Sequence, residues 1–140
     1  MEIGIVALGR MGGNIARRLM QAGHRAVVWD KDAAAVAALA AEGAVGVADL
    51  AGLVAALAPP RAVWVMLPHG APTEDALEQL GALLAPGDAA IDGGNTHWKV
   101  DIRRAKALGA RGIDYLDIGT SGGVWGLKRG YCLMIGGKPA

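Results

Sequence analysis

MEIGIVALGRMGGNIARRLMQAGHRAVVWD, residues 1–30, decides the fold. Ile3 to Leu8 is a short apolar run rich in β-branched residues, which suits a strand buried on both faces. From Arg10 to Ala22 the period becomes helical: Met11, Ile15 and Leu19 lie four apart on one face, Arg17 and Arg18 point elsewhere, and Gly23 supplies a left-handed stop. Arg25 to Asp30 is a second strand. Small residues stand where the chain leaves the first strand, at Ala7, Gly9 and Gly12. Such a turn needs one small residue for the bend, one for close approach of backbone to a pyrophosphate, and one for tight helix–strand packing. Alanine takes positive φ poorly, so Ala7 is expected at negative φ. The helix that follows aims free N–H groups and partial positive charge at the turn.

Asp30 closes the second strand, where an acid accepts hydrogen bonds from the hydroxyls of an adenosine ribose. Ala7, Leu8, Gly9, Arg10, Met11, Gly12 and Asp30 are therefore candidate dinucleotide-binding residues. A carboxylate at that place repels a 2′-phosphate, which favours NAD over NADP. Lys31 and Arg10 are cations near enough in sequence to serve a phosphate, and keep NADP as second choice. The bland reading is an ordinary βα turn followed by a capping acid.

The same alternation continues. Asp32 caps Ala33 to Glu42, Ala44 to Val47 is a third strand, and Asp49 caps a helix through Leu57 that Pro59-Pro60 stops. Ala62 to Leu67 is a fourth strand, Thr73 begins a helix to about Leu84, and Asp88 to Asp92 is a fifth strand. Thr96 caps a helix through Leu108, Gly112 to Ile118 is a sixth strand, and Tyr131 to Ile135 one more. Strands alternating with helices predict an α/β, Rossmann-type doubly wound, mainly parallel sheet with helices on both faces. A flavodoxin-like strand order is the alternative.

Length and charge bound the function. At 140 residues the chain is one domain, with little room for a second. Fourteen basic against thirteen acidic residues give +1, which offers nothing to nucleic acid or an anionic membrane. The single cysteine, Cys132, precludes an internal disulfide or a thiolate zinc site, and a reducing cytoplasm is the natural expectation. No apolar run approaches a bilayer span, and Met1-Glu2 leads straight into a strand with no basic leader. His24, His69 and His97 share no metal-ligand spacing.

Three later stretches go with the opening turn: Ile91-Asp92-Gly93-Gly94-Asn95, Asp117-Ile118-Gly119-Thr120-Ser121-Gly122-Gly123, and Val124-Trp125-Gly126-Leu127 with Gly130-Tyr131-Cys132-Leu133-Met134-Ile135-Gly136-Gly137. In that order, over essentially the whole chain, they resemble the 6-phosphogluconate dehydrogenases, within the β-hydroxyacid dehydrogenases. The third is similar to their NAD-preferring, decarboxylating branch. The resemblance implies a metal-free oxidation of 6-phosphogluconate, a small phosphorylated sugar acid, to ribulose 5-phosphate and carbon dioxide. It implies that Asn95 lies between cofactor and substrate, and that Ser121, Gly122 and Gly123 hold the substrate's carboxylate end. Met11 would pack on the nicotinamide, with Leu67 and Pro68 lining the cleft. Asp30-Lys31-Asp32 departs from the run of the NADP-using branch, in line with NAD.

The resemblance also implies a C-terminal helical domain carrying a general acid–base lysine and forming a homodimer. Neither that domain nor a lysine matching that position is found in residues 1–140; Lys128 is near the serine–glycine loop but nothing promotes it. The chain is thus expected to bind NAD without turnover alone, and to expose an apolar surface prone to association. Another β-hydroxyacid dehydrogenase, of 3-hydroxyisobutyrate type, and a non-catalytic NAD-binding module are the rivals. Among single residues, His24 reads as a partner for helix-end carbonyls, His69 as a cleft or loop residue, and Trp29 and Trp64 as packing. Trp125 is a candidate for shaping the substrate pocket. Cys132 reads as buried, and Arg103 with Arg104 as a solvated helix face. Without the resemblance, Asn95 and Ser121 read as loop-stabilising polar groups.

Overall fold

The computed structural model describes residues 1–138. Its elements run β1 Glu2–Val6, α1 Arg10–Gln21, β2 Arg25–Trp29, α2 Ala33–Ala41, β3 Val45–Gly46, α3 Leu50–Ala55 and β4 Ala62–Val65. They continue with α4 Ala71–Leu83, β5 Ala89–Asp92, α5 Trp98–Gly109, β6 Asp114–Ser121, a 3₁₀ turn Gly123–Trp125, α6 Gly126–Arg129 and β7 Cys132–Gly136. The sheet order is β3-β2-β1-β4-β5-β6-β7. β1 to β6 pair in parallel and β7 runs antiparallel to β6. This order decides against the flavodoxin-like alternative and places the switch of winding direction between β1 and β4.

Two cores follow from strand alternation. Val6, Val27, Val63, Val65 and Ala90 point to one face and meet α3, α4 and α5 through Leu53, Leu77, Leu80 and Leu108. Ile3, Ile5, Ala26, Val28 and Ile91 point to the other and meet α1 and α2 through Ile15, Ala16 and Leu39. The central strands are apolar on both sides because both sides are covered.

Several boundaries differ from the sequence reading. α4 begins at Ala71, not Thr73: Gly70 takes φ +99° and turns the chain early, with Pro72 in the first turn where its missing N–H matters least. Thr73 is fully buried, and its hydroxyl donates to the Pro68 carbonyl at 2.8 Å. Thr96 does not cap α5. Its hydroxyl donates to Asp92 at 2.7 Å, and His97 caps instead, Nδ1 accepting from the Lys99 N–H at 3.3 Å. β6 starts at Asp114 because Gly112, at φ +75°, still belongs to the turn. Cys132 is exposed, since β7 lies at the sheet edge. His24 Nδ1 faces the Met1 amino group at 3.4 Å.

The pairing of Arg103 with Arg104 as a solvated face also fails for Arg104. Arg103 is exposed beside Glu74, whereas Arg104 is 5% exposed and donates to Asp92 at 2.8 Å and to Glu74 at 2.8 Å. Asp92 is fully buried, and the Tyr115 hydroxyl spans Asp101 at 2.8 Å and Asp92 at 3.2 Å. Burial, then hydrogen bonding to Asp101 and the Asp92 charge, push the Tyr115 phenol far above its usual range, so it serves as a neutral donor. Removing one partner of a buried ion pair strands the other. Arg104→Met is expected to cost about 3 kcal/mol in urea unfolding, whereas Arg103→Met costs under about 0.5 kcal/mol. Equal effects would contradict this account.

Two carboxylates set the acid response. Burial opposes ionisation of Asp88, but the N–H groups of Ala85 and Arg61 and the Arg61 side chain outweigh it and hold its pKa below the ordinary 3.8. Burial likewise opposes ionisation of Glu74, and hydrogen bonds from Arg104 and Arg103 hold it below the ordinary 4.5. A depressed folded-state value stabilises the fold above the unfolded-state value and loses that stability as pH falls. Urea midpoints should therefore hold steady above pH 4.5 and fall steadily below it; a midpoint that rises on acidification would be inconsistent with both assignments.

Candidate functional site

The switch point is an open cleft of about 540 Å³ at the C-terminal ends of β1, β2 and β4. Ala7 and Gly9 come from the turn after β1, Asp30 and Lys31 from the end of β2, and Leu67 and Pro68 from the end of β4. Open α/β sheets bind ligands at this place. α1 starts at Gly9 with no side-chain cap. Its first-turn N–H groups have no carbonyl four residues back, so they remain available to an anion.

Close contact aims that helix. A Cβ on Gly12 would collide with the Ala7 carbonyl oxygen, so only glycine lets α1 seat this tightly on β1. A Cβ on Gly9 would meet nothing within 4 Å, so the helix start opens onto free space. The donors, the space and the positive helix end together fit a pyrophosphate.

Ala7 corrects the sequence expectation: its φ is +71°, not negative. Its N–H donates to the Trp29 carbonyl at 3.0 Å, extending the β1–β2 ladder by one residue. The next N–H, of Leu8, turns to Asp30 Oδ2 at 2.6 Å. Consecutive donors pointing into the ladder and then across to the acid accompany this left-handed turn. An alanine there carries about 1–2 kcal/mol of strain, part of which glycine's greater unfolded-state freedom would cancel. Ala7→Gly is therefore expected to change stability by between zero and about +1 kcal/mol, read by chemical denaturation. A loss larger than about 1 kcal/mol would show that the methyl is needed there.

Asp30 is held from two sides, Oδ2 by Leu8 N–H and Oδ1 by Asp32 N–H at 2.8 Å. It lines the cleft, and each oxygen keeps lone-pair capacity for a further donor. The Leu8 side chain is buried, Arg10 is exposed, and Met11 is half-buried outside the cleft lining. Trp29, read as packing, lines the cleft with its indole N–H on the Ala48 carbonyl at 3.1 Å. Trp64 is a core residue as expected.

Asn95 is exposed on the loop after β5. That loop abuts the end of β4: a Cβ on Gly94 would stand 2.8 Å from the Leu67 carbonyl oxygen. Asp92 grips it on both sides of Asn95, accepting from Gly94 N–H at 2.8 Å and from the Thr96 hydroxyl at 2.7 Å. Arg104 in turn fixes Asp92. Sequence reasoning missed this support, although an acid closing an apolar strand was its visible signal. Ser121, Gly122 and Gly123 lie exposed at the end of β6, outside the lining of the first cleft. His69 is an exposed loop residue, and Trp125 is exposed over Arg129. Among the described residues no group of His, Cys, Asp and Glu is placed to hold a metal ion.

Residues 2–140 match the model of the NAD-binding domain of 6-phosphogluconate dehydrogenase. The chain belongs to that family. It is 42% identical over 137 residues to the NAD(+)-dependent, decarboxylating 6-phosphogluconate dehydrogenase of Haloferax volcanii, covering 98% of this chain and 45% of that protein. It is 37% identical over 144 residues to the decarboxylating 6-phosphogluconate dehydrogenase of Synechococcus elongatus, covering 99% of this chain and 31% of that one. Among solved structures it is similar to a 3-hydroxyisobutyrate dehydrogenase from Salmonella typhimurium, with 28% identity and a TM-score of 0.86 over 96% of this chain and 47% of that chain. The chain spans under half the length of these relatives. No helix among the described residues is long and apolar enough to cross a membrane.

Proposed function

We propose that this domain is the cofactor half of an NAD-preferring, decarboxylating 6-phosphogluconate dehydrogenase. The observation that carries the reading is the Asp30 carboxylate, fixed in the cleft by two backbone N–H groups beside the uncapped start of α1. The first-turn amides of α1 hold the pyrophosphate, and Gly9 leaves room for it. Asp30 accepts from the adenosine ribose hydroxyls and repels a 2′-phosphate. Leu67 and Pro68 wall the cleft, and Met11 packs toward the nicotinamide. Bound there, NAD supplies the hydride acceptor for the C3 hydroxyl of the sugar acid.

The chain's own residues then hold the substrate. The Asn95 side chain hydrogen-bonds near the reacting carbon, on the loop that Asp92 braces. The Ser121 hydroxyl and the Gly122 and Gly123 N–H groups bind the carboxylate end, which leaves as carbon dioxide once C3 is a ketone. The acid–base lysine comes from sequence outside these residues, on a helical domain that also forms the homodimer. The exposed apolar side chains of Trp98, Ile102 and Met134 around α5 and β7 support a further covering element. The protein would act in the cytoplasm.

A second reading, a 3-hydroxyisobutyrate-type dehydrogenase, draws on the Salmonella likeness. Turnover of an unphosphorylated hydroxyacid but not of 6-phosphogluconate by the longer protein carrying this domain would select it. The cofactor reading is tested by calorimetric titration of the 140-residue chain with NAD and NADP. NAD should bind at least about tenfold more tightly. Asp30→Ala should weaken NAD by about tenfold, the loss of one charged hydrogen bond, and narrow the discrimination. NADP binding as well as NAD, or no binding of either, would overturn it.

A further inference from the structure

Ser121 is tied to Cys132 as the last pair of the β6–β7 ladder. Beyond it the stretch to Gly130 has few turn bonds of its own: Trp125 N–H donates to the Gly122 carbonyl at 3.2 Å and Gly130 N–H to the Gly126 carbonyl at 2.9 Å. Past that ladder, its shape is imposed from outside, by α1 and by one ring. Arg18, on the third turn of α1, donates Nη1 to the Leu127 carbonyl at 3.1 Å, 109 residues away in sequence. The same guanidinium lies against Gly130, where a Cβ would stand 3.2 Å from Nη2. The Tyr131 ring fills the inside of the loop. A side chain on Gly126 would overlap it, and a Cβ on Gly122 would stand 3.0 Å from its Cδ1. The Tyr131 hydroxyl is buried facing Asn14 of α1, with no hydrogen bond of good geometry, so the residue acts here chiefly through its ring.

α1 is the helix whose other end faces the cleft. We propose that Arg18 and Tyr131 are positioning residues that hold the Ser121–Gly123 loop in register with α1. One rigid helix then carries both the dinucleotide site and the reference point for the substrate loop. The consequence for catalysis rests on the function proposed above; the register itself does not. Glycines at 122, 126 and 130 are what allow the loop to close this tightly on the ring and the guanidinium.

Amide hydrogen exchange on the 140-residue chain tests the register without any ligand. Arg18→Met and Tyr131→Ala should each speed exchange of the Trp125 and Gly130 amides by about tenfold or more, with β1 and β4 amides changed less than about twofold. Tyr131→Phe keeps the ring and removes only the hydroxyl that faces Asn14, and should match the parent chain. NAD affinity, titrated in parallel, should stay within about threefold in all three variants. Loop exchange unchanged in Arg18→Met and Tyr131→Ala overturns the proposal. So does acceleration spread evenly over the sheet, or failure of Tyr131→Phe to match the parent. Absence of NAD binding by the parent chain would count against the cofactor reading alone, because the exchange comparison is made without NAD.

Discussion

The seating of α1 on β1 governs everything at the switch point. The Ala7 carbonyl and Gly12 touch with no room for a methyl group. That contact fixes where the first turn of the helix ends and which way its N–H groups face. Set back by even one methyl, the helix start would lose its line on the cleft and the turn would no longer reach Asp30. The Leu8 amide, the Asp30 carboxylate and the Asp32 amide form the second half of the same device. They bind the ends of β1 and β2 into one floor.

A second device repeats the logic further along the sheet. Asp92, fully buried at the end of β5, carries the Asn95 loop on two hydrogen bonds and is itself neutralised by Arg104. Arg104 reaches across to Glu74 on α4, so the loop is braced by two helices at once. Buried ions of this kind are poor sources of stability. They do fix geometry, and here the geometry fixed is that of a loop beside the cleft.

The order of β1 to β7 and α1 to α5 was legible because apolar runs and their punctuation agree, whereas the short helical turns at Gly123–Trp125 and Gly126–Arg129 were not read. The buried strands read as apolar runs, α1 as a four-residue period, and glycines mark the helix ends. The cleft was legible too, since Ala7, Gly9 and Asp30 have few other reasons to share that spacing. What escaped the sequence was set by long-range partners. Arg104 looks like its neighbour Arg103 until β5 and α4 are brought beside it. Cys132 looks like a core residue until β7 proves to be an edge. The φ of Ala7 followed from a turn in which Leu8 must reach Asp30, a demand that local preference did not reveal. Thr96 lost its assumed cap because its hydroxyl goes to the buried Asp92, and the helix read as beginning at Thr73 starts earlier because Gly70 turns the chain.

The direct test of the α1 start as an anion site is a backbone amide NMR titration of the chain with NAD. The largest shifts should fall on Gly9, Arg10, Met11 and Gly12, with a second group at Leu8 and Asp30. Shifts centred instead on Trp98, Asp101 and Gly136, at the β7 edge of the sheet, with the glycine turn unmoved, would contradict the assignment.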